Sequence, residues 1–509
     1  MNDRFKRLLC LILSVWMLLT TAFLVACADE KEPISDDPQD PTSENEEITP
    51  PAQEEQRLPI DYLPEETYGG TEIHVLEWFV NETPNNRIPW EEIDVDTLTG
   101  NTLEDAVFKR NSLVEEKFEV LITKEYVEIY GTPTYVNTLR ANEQSGEERF
   151  QMITVISESI ATICQEGMMT NMYELGNLHT DMPWWNQDSV RAYTMGNSLY
   201  FASPELLLRD KGATAAIFYN KAVAESHGIT GLYNLVEAGE WTWEEMISMC
   251  EDVTADVDGD DKVSSAEDMY GLTGHMRCVP YYLFAGADLK FASINEDGYL
   301  ELQFGSDERC ITTYQEMVDE VLFSDYYFQN LQDPSKIPTG FAPFEADKAL
   351  FLSDMVKMMV LLRNMTTDYG ILPVPKYDKS QEDYSSLVFW HHDSVLGIPA
   401  SVTNTDAVST VLEYMSYLSY YDIYPIFYET VLKDRSTRDE QSVEMLEIIF
   451  RTRTFDPGHY WLTTQIHTMK TFLNVFENKT RDIASFWASL ESRAETAVED
   501  FNKRIDEMH

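Results

Sequence analysis

The chain has 509 residues, with 37 Lys and Arg against 89 Asp and Glu, and a formal net charge of −52. That surplus excludes a nucleic-acid face, which needs basic residues to meet phosphates, and a basic helix lying on an anionic membrane. Hydrophobic residues at 43% and aromatics at 12% supply enough apolar side chain for two or three packed lobes, so the chain is not disordered as a whole.

Residues 1–7 carry Arg4, Lys6 and Arg7, residues 8–23 form an apolar run, and Leu24-Val25-Ala26-Cys27 follows. A basic start, an apolar middle and small residues at a cut make a signal peptide. The run is short for a membrane span, and no stop-transfer sequence comes after it. Leu-Val-Ala-Cys resembles the lipobox of bacterial lipoproteins. The resemblance implies removal of residues 1–26, a diacylglycerol thioether on Cys27, and a chain anchored on the outer face of the cell membrane. Residues 27–57 continue with Asp, Glu, Pro, Ser and Thr and no aromatic residue. Such a segment buries too little surface to fold, and its like charges extend it into a tether. Cys164, Cys250, Cys278 and Cys310 remain in the body. Their spacing suits neither zinc nor a dense disulfide framework, and they read as buried thiols, with one disulfide left open.

In the body, residues 72–76 read as a strand with Glu77 and Trp78 at its carboxyl end. Residues 103–118 have helical spacing, 120–123 form a second strand and 150–156 a third. Strands alternating with helices predict βαβ units and a parallel sheet, in which ligands bind beyond the carboxyl ends of strands. Glu77, Trp78, Ser157 and Glu158 are positional candidates on that rule. A second α/β region begins near Ala213, with a strand at 216–219 and a helix at 221–227 stopped by Gly228. Thr242 and Glu245 predict a capping box at the next helix. Short strands follow at 369–375 and 394–399. From Val408 onward the pattern is mostly helical, and no internal repeat is present.

Residues 256–267 read Asp-Val-Asp-Gly-Asp-Asp-Lys-Val-Ser-Ser-Ala-Glu. Laid on the twelve-residue EF-hand loop, the ligands are Asp256, Asp258 and Asp260, the carbonyl of Lys262, Ser264, and Glu267 as the bidentate last position. The sixth position is Asp261 instead of Gly, though Asp tolerates the left-handed region better than most residues. A single such loop predicts a structural calcium ion, without the paired arrangement of a calcium switch.

Several landmarks together resemble the extracellular solute-binding proteins of ABC importers, the group of maltose-binding protein. They are Pro183-Trp184-Trp185-Asn186 with the following Gly196-Asn197-Ser198-Leu199-Tyr200, Phe218-Tyr219-Asn220-Lys221, Trp241-Thr242-Trp243-Glu244-Glu245, the Asp-rich loop leading to Tyr270-Gly271-Leu272, Ala346-Asp347-Lys348-Ala349-Leu350-Phe351, and Tyr369-Gly370-Ile371-Leu372-Pro373-Val374-Pro375. The resemblance implies a two-lobed periplasmic-binding-protein-like α/β fold of type II, with hinge crossings, a ligand cleft and a helical C-terminal part. Lobe 1 would comprise 58–210 with a return segment at 392–435. Lobe 2 would comprise 211–391 with the C-terminal helices at 436–509. The crossings are expected near 209–213 and 389–395. The implied function is capture of a carbohydrate and delivery to the permease subunits of an ABC importer by a lipid-anchored monomer, without catalysis. Sugars offer apolar ring faces and a rim of hydroxyls, which aromatic and carboxylate or guanidinium side chains match. Trp78, Trp184, Trp185, Trp390 and Trp461 are therefore candidate stacking residues, and Glu77, Glu158, Ser157, Glu205 and Arg209 candidate polar contacts. A peptide or polyamine cargo, a sensor subunit and a secreted glycoside hydrolase are the competing readings.

Overall fold

The computed structural model describes residues 57–79, 90–129, 133–265, 267–275, 278–329, 341–433, 440–462, 475 and 480–508. Cys27, the signal segment and residues 28–56 lie outside them. Two mixed sheets organise the body.

The first sheet is built from β1 (Thr71–Phe79), β2 (Val120–Glu128) and β3 (Met152–Val155). β1 lies between the other two and runs parallel to both. Its run from Val75 to Trp78 is buried without interruption, as expected for a strand covered on both faces. Helix α1 (Thr102–Phe118) connects β1 to β2. Asn101 caps it, accepting the N–H groups of Leu103 at 3.0 Å and Glu104 at 3.2 Å, and Glu104 and Asp105 complement the positive end of the helix. Helix α2 (Gln187–Tyr193) then leads to the first crossing, a single turn α3 (Arg209–Gly212). Gly212 is forced by packing there: a Cβ would stand 2.3 Å from the Trp90 ring.

The second sheet contains β4 (Ala215–Asn220), β5 (Tyr270–Gly274), β6 (Tyr327–Gln329), β7 (Ala349–Met355) and β8 (Tyr369–Leu372), in the order β6-β5-β7-β4-β8. β5, β6 and β7 are mutually parallel, and β4 runs against β7 and β8. Helix α4 (Trp243–Val253) begins at Thr242, but the predicted capping box does not form, since the Thr242 side chain makes no capping bond. The N–H of Trp243 goes to the Lys376 carbonyl at 2.9 Å instead. Helix α5 (Val279–Gly286), buried along its whole length, follows β5.

The chain returns through 388–394 to β9 (Val395–Gly397), which pairs antiparallel with β3 and completes the first sheet. The two crossings touch: Phe389 N–H donates to the Ala213 carbonyl at 3.0 Å. Helices α6 (Thr405–Leu418) and α7 (Tyr424–Lys433) pack on α1, and α8 (Glu440–Arg451) packs on β8. Helix α9 (Pro457–Trp461) lies against 157–165 and also against 292–294, so the C-terminal helices do not all serve one sheet. Helix α10 (Glu491–Met508) packs on the strand at 300–302. The four body cysteines are buried thiols, and none forms a disulfide. No helix among the described residues is long and apolar enough to cross a membrane.

Candidate functional site

The carboxyl ends of β1 and β3 meet the crossings, and buried polar groups collect there. At the end of β1, Glu77 is fully buried and pairs with Arg209 at 2.7 Å and with Lys124 at 3.8 Å. The Arg209 guanidinium lies over the Trp78 ring at 4.9 Å and donates to the Trp78 carbonyl at 3.1 Å. Trp78 itself donates its indole N–H to Ser394 at 2.9 Å, joining β1 to the return crossing. Glu92, which sequence reasoning missed, accepts the backbone N–H groups of Leu208 at 2.8 Å and Arg209 at 3.0 Å. Burial raises the Glu77 carboxyl to about 7, against the pull of Arg209 and Lys124.

At the end of β3, Ser157 donates its hydroxyl to Asp393 at 2.5 Å and its N–H at 2.9 Å. Glu158 pairs with His391 at 2.8 Å. Trp390 stacks on His459, with Tyr281 standing edge-on to both. Burial raises Asp393 to about 7, more than the Ser157 bonds lower it, and burial holds His459 down at about 4. Trp461 is buried near this cluster, packed on Tyr460 and Phe501.

The Asp393 shift fixes a pH dependence. An unfolded Asp titrates near 3.9, so the folded state holds an extra proton between about 4 and 7. The stability this supplies is full below the unfolded value and is lost as pH rises through the folded one. Asp393→Asn needs no proton. Its stability relative to the wild type is expected to rise by about 1.4 kcal/mol for each pH unit in that window, read from urea midpoints at pH 5, 6, 7 and 8. A difference that stays flat with pH would refute the assignment.

The other candidates lie elsewhere. Trp184 and Trp185 are buried and both donate to Glu413, at 2.8 and 2.9 Å. Glu205 pairs with Lys211 at 2.7 Å and Arg453 at 3.0 Å in a buried ionic knot on the first crossing. Arg453 and Asp393 carried no local sequence signal, because Asp210 and Ser157 meet them only after the chain has folded back over 243 and 236 residues; Asp456 caps its own short helix through the Gly458 N–H, and His459 reaches Trp390 only through the fold.

In the acidic loop, Asp256, Asp258 and Asp260 bring carboxylate oxygens within 4.8 Å of one another. Asp261 takes φ +64, the left-handed turn that the sixth position requires. Asp256 accepts the N–H groups of Gly259 at 2.7 Å and Asp261 at 2.8 Å. Glu267 is not part of the carboxylate group; its carbonyl accepts the Lys348 ammonium at 2.6 Å. Lys262 donates its N–H to Asp260 at 2.9 Å, and Ser264 donates its N–H to Asp268 at 3.0 Å. Asp268 is the residue that sequence reasoning overlooked. It is buried and also accepts Val257 and Ser265 N–H groups at 2.9 and 2.8 Å, which lower its carboxyl far below the usual range.

No protein-family model and no curated protein sequence matches the chain. Solved structures do. The galacto-N-biose-/lacto-N-biose I-binding protein of the ABC transporter from Bifidobacterium longum, in complex with lacto-N-biose, aligns over 85% of this chain and 98% of its own at 11% identity, with a TM-score of 0.55. M. tuberculosis UspC aligns over 84% of this chain and 100% of its own at 13% identity and a TM-score of 0.53. An ABC substrate-binding protein from Listeria monocytogenes in complex with cycloalternan aligns over 86% and 99% at 11% identity and a TM-score of 0.52. The fold is therefore the two-lobed α/β fold of these three structures.

Proposed function

We propose that this chain is a lipid-anchored extracellular solute-binding protein that captures a carbohydrate between its two lobes and delivers it to an ABC importer, without making or breaking a bond. The observation that carries the reading is the fold, shared over 84–86% of the chain with the three structures above, two of which were solved with an oligosaccharide bound. The strand-end cluster supports it. Trp390 and Tyr281 bring flat apolar rings together, and Ser157, Glu158 and Asp393 bring hydroxyl-binding groups beside them, the combination that a sugar needs once the cluster opens. Two lobes joined by touching crossings suit hinge closure on a ligand.

Thermal unfolding of the body from Leu58 onward, with a panel of mono- and oligosaccharides, tests capture. A ligand binding only the folded state adds about 2.7 kcal/mol at 100 times its dissociation constant. One sugar is expected to raise the midpoint and to be recovered uncleaved. Cleaved sugar would reject the binder reading, and a response to peptides or polyamines alone would change the cargo.

Anchoring is proposed through Cys27, on the lipobox. Full-length chain expressed in a bacterium is expected to fractionate with membranes, and Cys27→Ser to appear in the medium or the soluble fraction. Equal partition of the two would remove the anchor. We also propose calcium for the acidic loop. Asp256, Asp258 and Asp260 fit a hard cation by donor type and convergence, with Glu267 swinging in to complete the set. The same unfolding series with calcium or with chelator reads it, and calcium is expected to raise the midpoint.

A further inference from the structure

The carboxyl end of β3 is already filled by the chain itself. Trp390, on the return crossing, and His459, on α9, lie ring on ring with centroids 3.7 Å apart and planes 13° from parallel. Tyr281 of α5 meets both edge-on, at 4.9 Å each. The two members of the stack are held in different ways. Trp390 belongs to the strand end: its carbonyl accepts the Glu158 N–H at 3.4 Å, and its neighbours His391 and Asp393 bind Glu158 and Ser157. His459 arrives on a helix of five residues. That helix is buried along its length; the Asp456 carboxylate accepts the N–H groups of Gly458 at 2.9 Å, Phe291 at 2.6 Å and Ala292 at 3.2 Å and faces His459 Nε2 at 3.4 Å, and Tyr460 and Trp461 donate to the Ala192 carbonyl at 3.3 and 3.4 Å.

An imidazole parallel to an indole at 3.7 Å covers the indole face on which, under the sugar reading above, a pyranose would stack. It is also a fair chemical substitute. Burial keeps His459 uncharged at neutral pH, so it presents a flat ring with polar atoms on its rim, as a sugar does. Exchange of one flat ring for another leaves the indole face covered in both end states, and withdrawal of the buried α9 is the cost that the sugar contacts have to offset.

We propose that Trp390 is the ring-stacking platform of the cleft and that His459 is its resident stand-in, which a pyranose displaces on binding. The inference rests on the sugar reading above and adds a residue that competes with the ligand. Capture then requires α9 to withdraw from β3. An aromatic pair of this kind is worth about 0.5–1.5 kcal/mol beyond the area it buries, so His459→Ala is expected to bind its sugar about two- to tenfold more tightly than the wild type.

The test uses the body from Leu58 onward, titrated with glucose, galactose, maltotriose and lacto-N-biose by calorimetry, and proton–carbon spectra of its histidine rings. In the wild type, the His459 ring proton, assigned by its loss in His459→Ala, is expected upfield from the Trp390 ring current and to move downfield when sugar binds. Tighter binding by His459→Ala, or binding by that variant alone, supports the proposal. A sugar that binds while the His459 resonance, assigned independently by its loss in His459→Phe, stays upfield overturns it and leaves the sugar reading intact, even if His459→Ala does not fold. Absence of binding to both proteins overturns the sugar reading and this inference with it.

Discussion

Replacing Arg453 with alanine is expected to remove about 3–5 kcal/mol of folding stability, because it breaks a buried ionic knot and strands the opposite charges. Arg453 donates to Asp210 at 2.8 Å and to Glu205 at 3.0 Å, and Lys211 closes the set against Glu205 at 2.7 Å and Asp210 at 3.5 Å. All four side chains are buried. Burial alone would raise the Glu205 carboxyl, but Lys211 and Arg453 outweigh it and the group ends below its ordinary value. Asp210 ends above its own, since burial and the nearby Glu205 and Glu92 prevail there. Without Arg453, a single Lys211 faces two carboxylates and one must take up a proton. Urea unfolding of Arg453→Ala and Arg453→Lys at pH 7.5 measures the effect, with the lysine variant falling between alanine and wild type because it restores the charge without the fork. A loss under about 1 kcal/mol for alanine would show the knot to be dispensable. The consequence reaches function through position. Asp210 and Lys211 sit on the first crossing, while Arg453 belongs to a strand that pairs with Ser386 beside the second. The knot therefore ties the first crossing to a strand beside the second.

The distinction between what the sequence revealed and what it hid follows from distance along the chain. Strand β1, helix α1 and the strand at 216–219 repeat their pattern within a few residues, so burial on one face or two is written locally. The acidic loop is local too, and the left-handed Asp261 sits where the pattern asked for Gly. The strand-end cluster is different. Ser157 and Asp393 are separated by 236 residues, and Arg453 and Asp210 by 243. Nothing near Asp393 in sequence says that a hydroxyl will meet it or that burial will hold its proton. The β-strand ends pointed to Ser157, Glu158, Glu77 and Trp78 because the topology of parallel sheets places ligands there. That rule names positions and not partners, so it could not show that Arg209 would be committed to Glu77 and Trp78 or that His459 would lie on Trp390. Family resemblance carried Trp184 and Trp185 as aromatics near the cleft, without saying what their N–H groups would find.

Those two tryptophans find Glu413, and removing that carboxylate is expected to be the second large loss. Glu413 is fully buried in α6. One oxygen accepts Trp184 Nε1 at 2.8 Å and Tyr62 OH at 2.6 Å; the other accepts Trp185 Nε1 at 2.9 Å and the His179 N–H at 3.3 Å. Consecutive indoles serving the two oxygens of one carboxylate explain why the turn after Pro183 carries two tryptophans in a row. In Glu413→Leu both indole N–H groups lose their acceptor inside the protein. A stranded buried donor costs about 1–3 kcal/mol, so a loss of roughly 2–6 kcal/mol is expected. Glu413→Gln keeps one acceptor but turns an amide N–H₂ toward the other indole, and its loss is expected to be intermediate. Urea unfolding followed by tryptophan fluorescence reads both variants, and a Glu413→Leu protein within about 1 kcal/mol of wild type would refute the clamp. The same geometry separates bracing from binding. Trp184→Phe keeps a ring against Tyr417 but loses the donor and the volume of the indole's second ring, leaving an oxygen of Glu413 to Tyr62. It is expected to lower stability while sugar affinity, measured by calorimetry on the folded fraction, stays within twofold of wild type. If Trp390 is the stacking platform proposed above, Trp390→Phe is expected to do the reverse, keeping most of the packing and weakening the sugar, whereas the Trp184 ring stands against Tyr417 of α6.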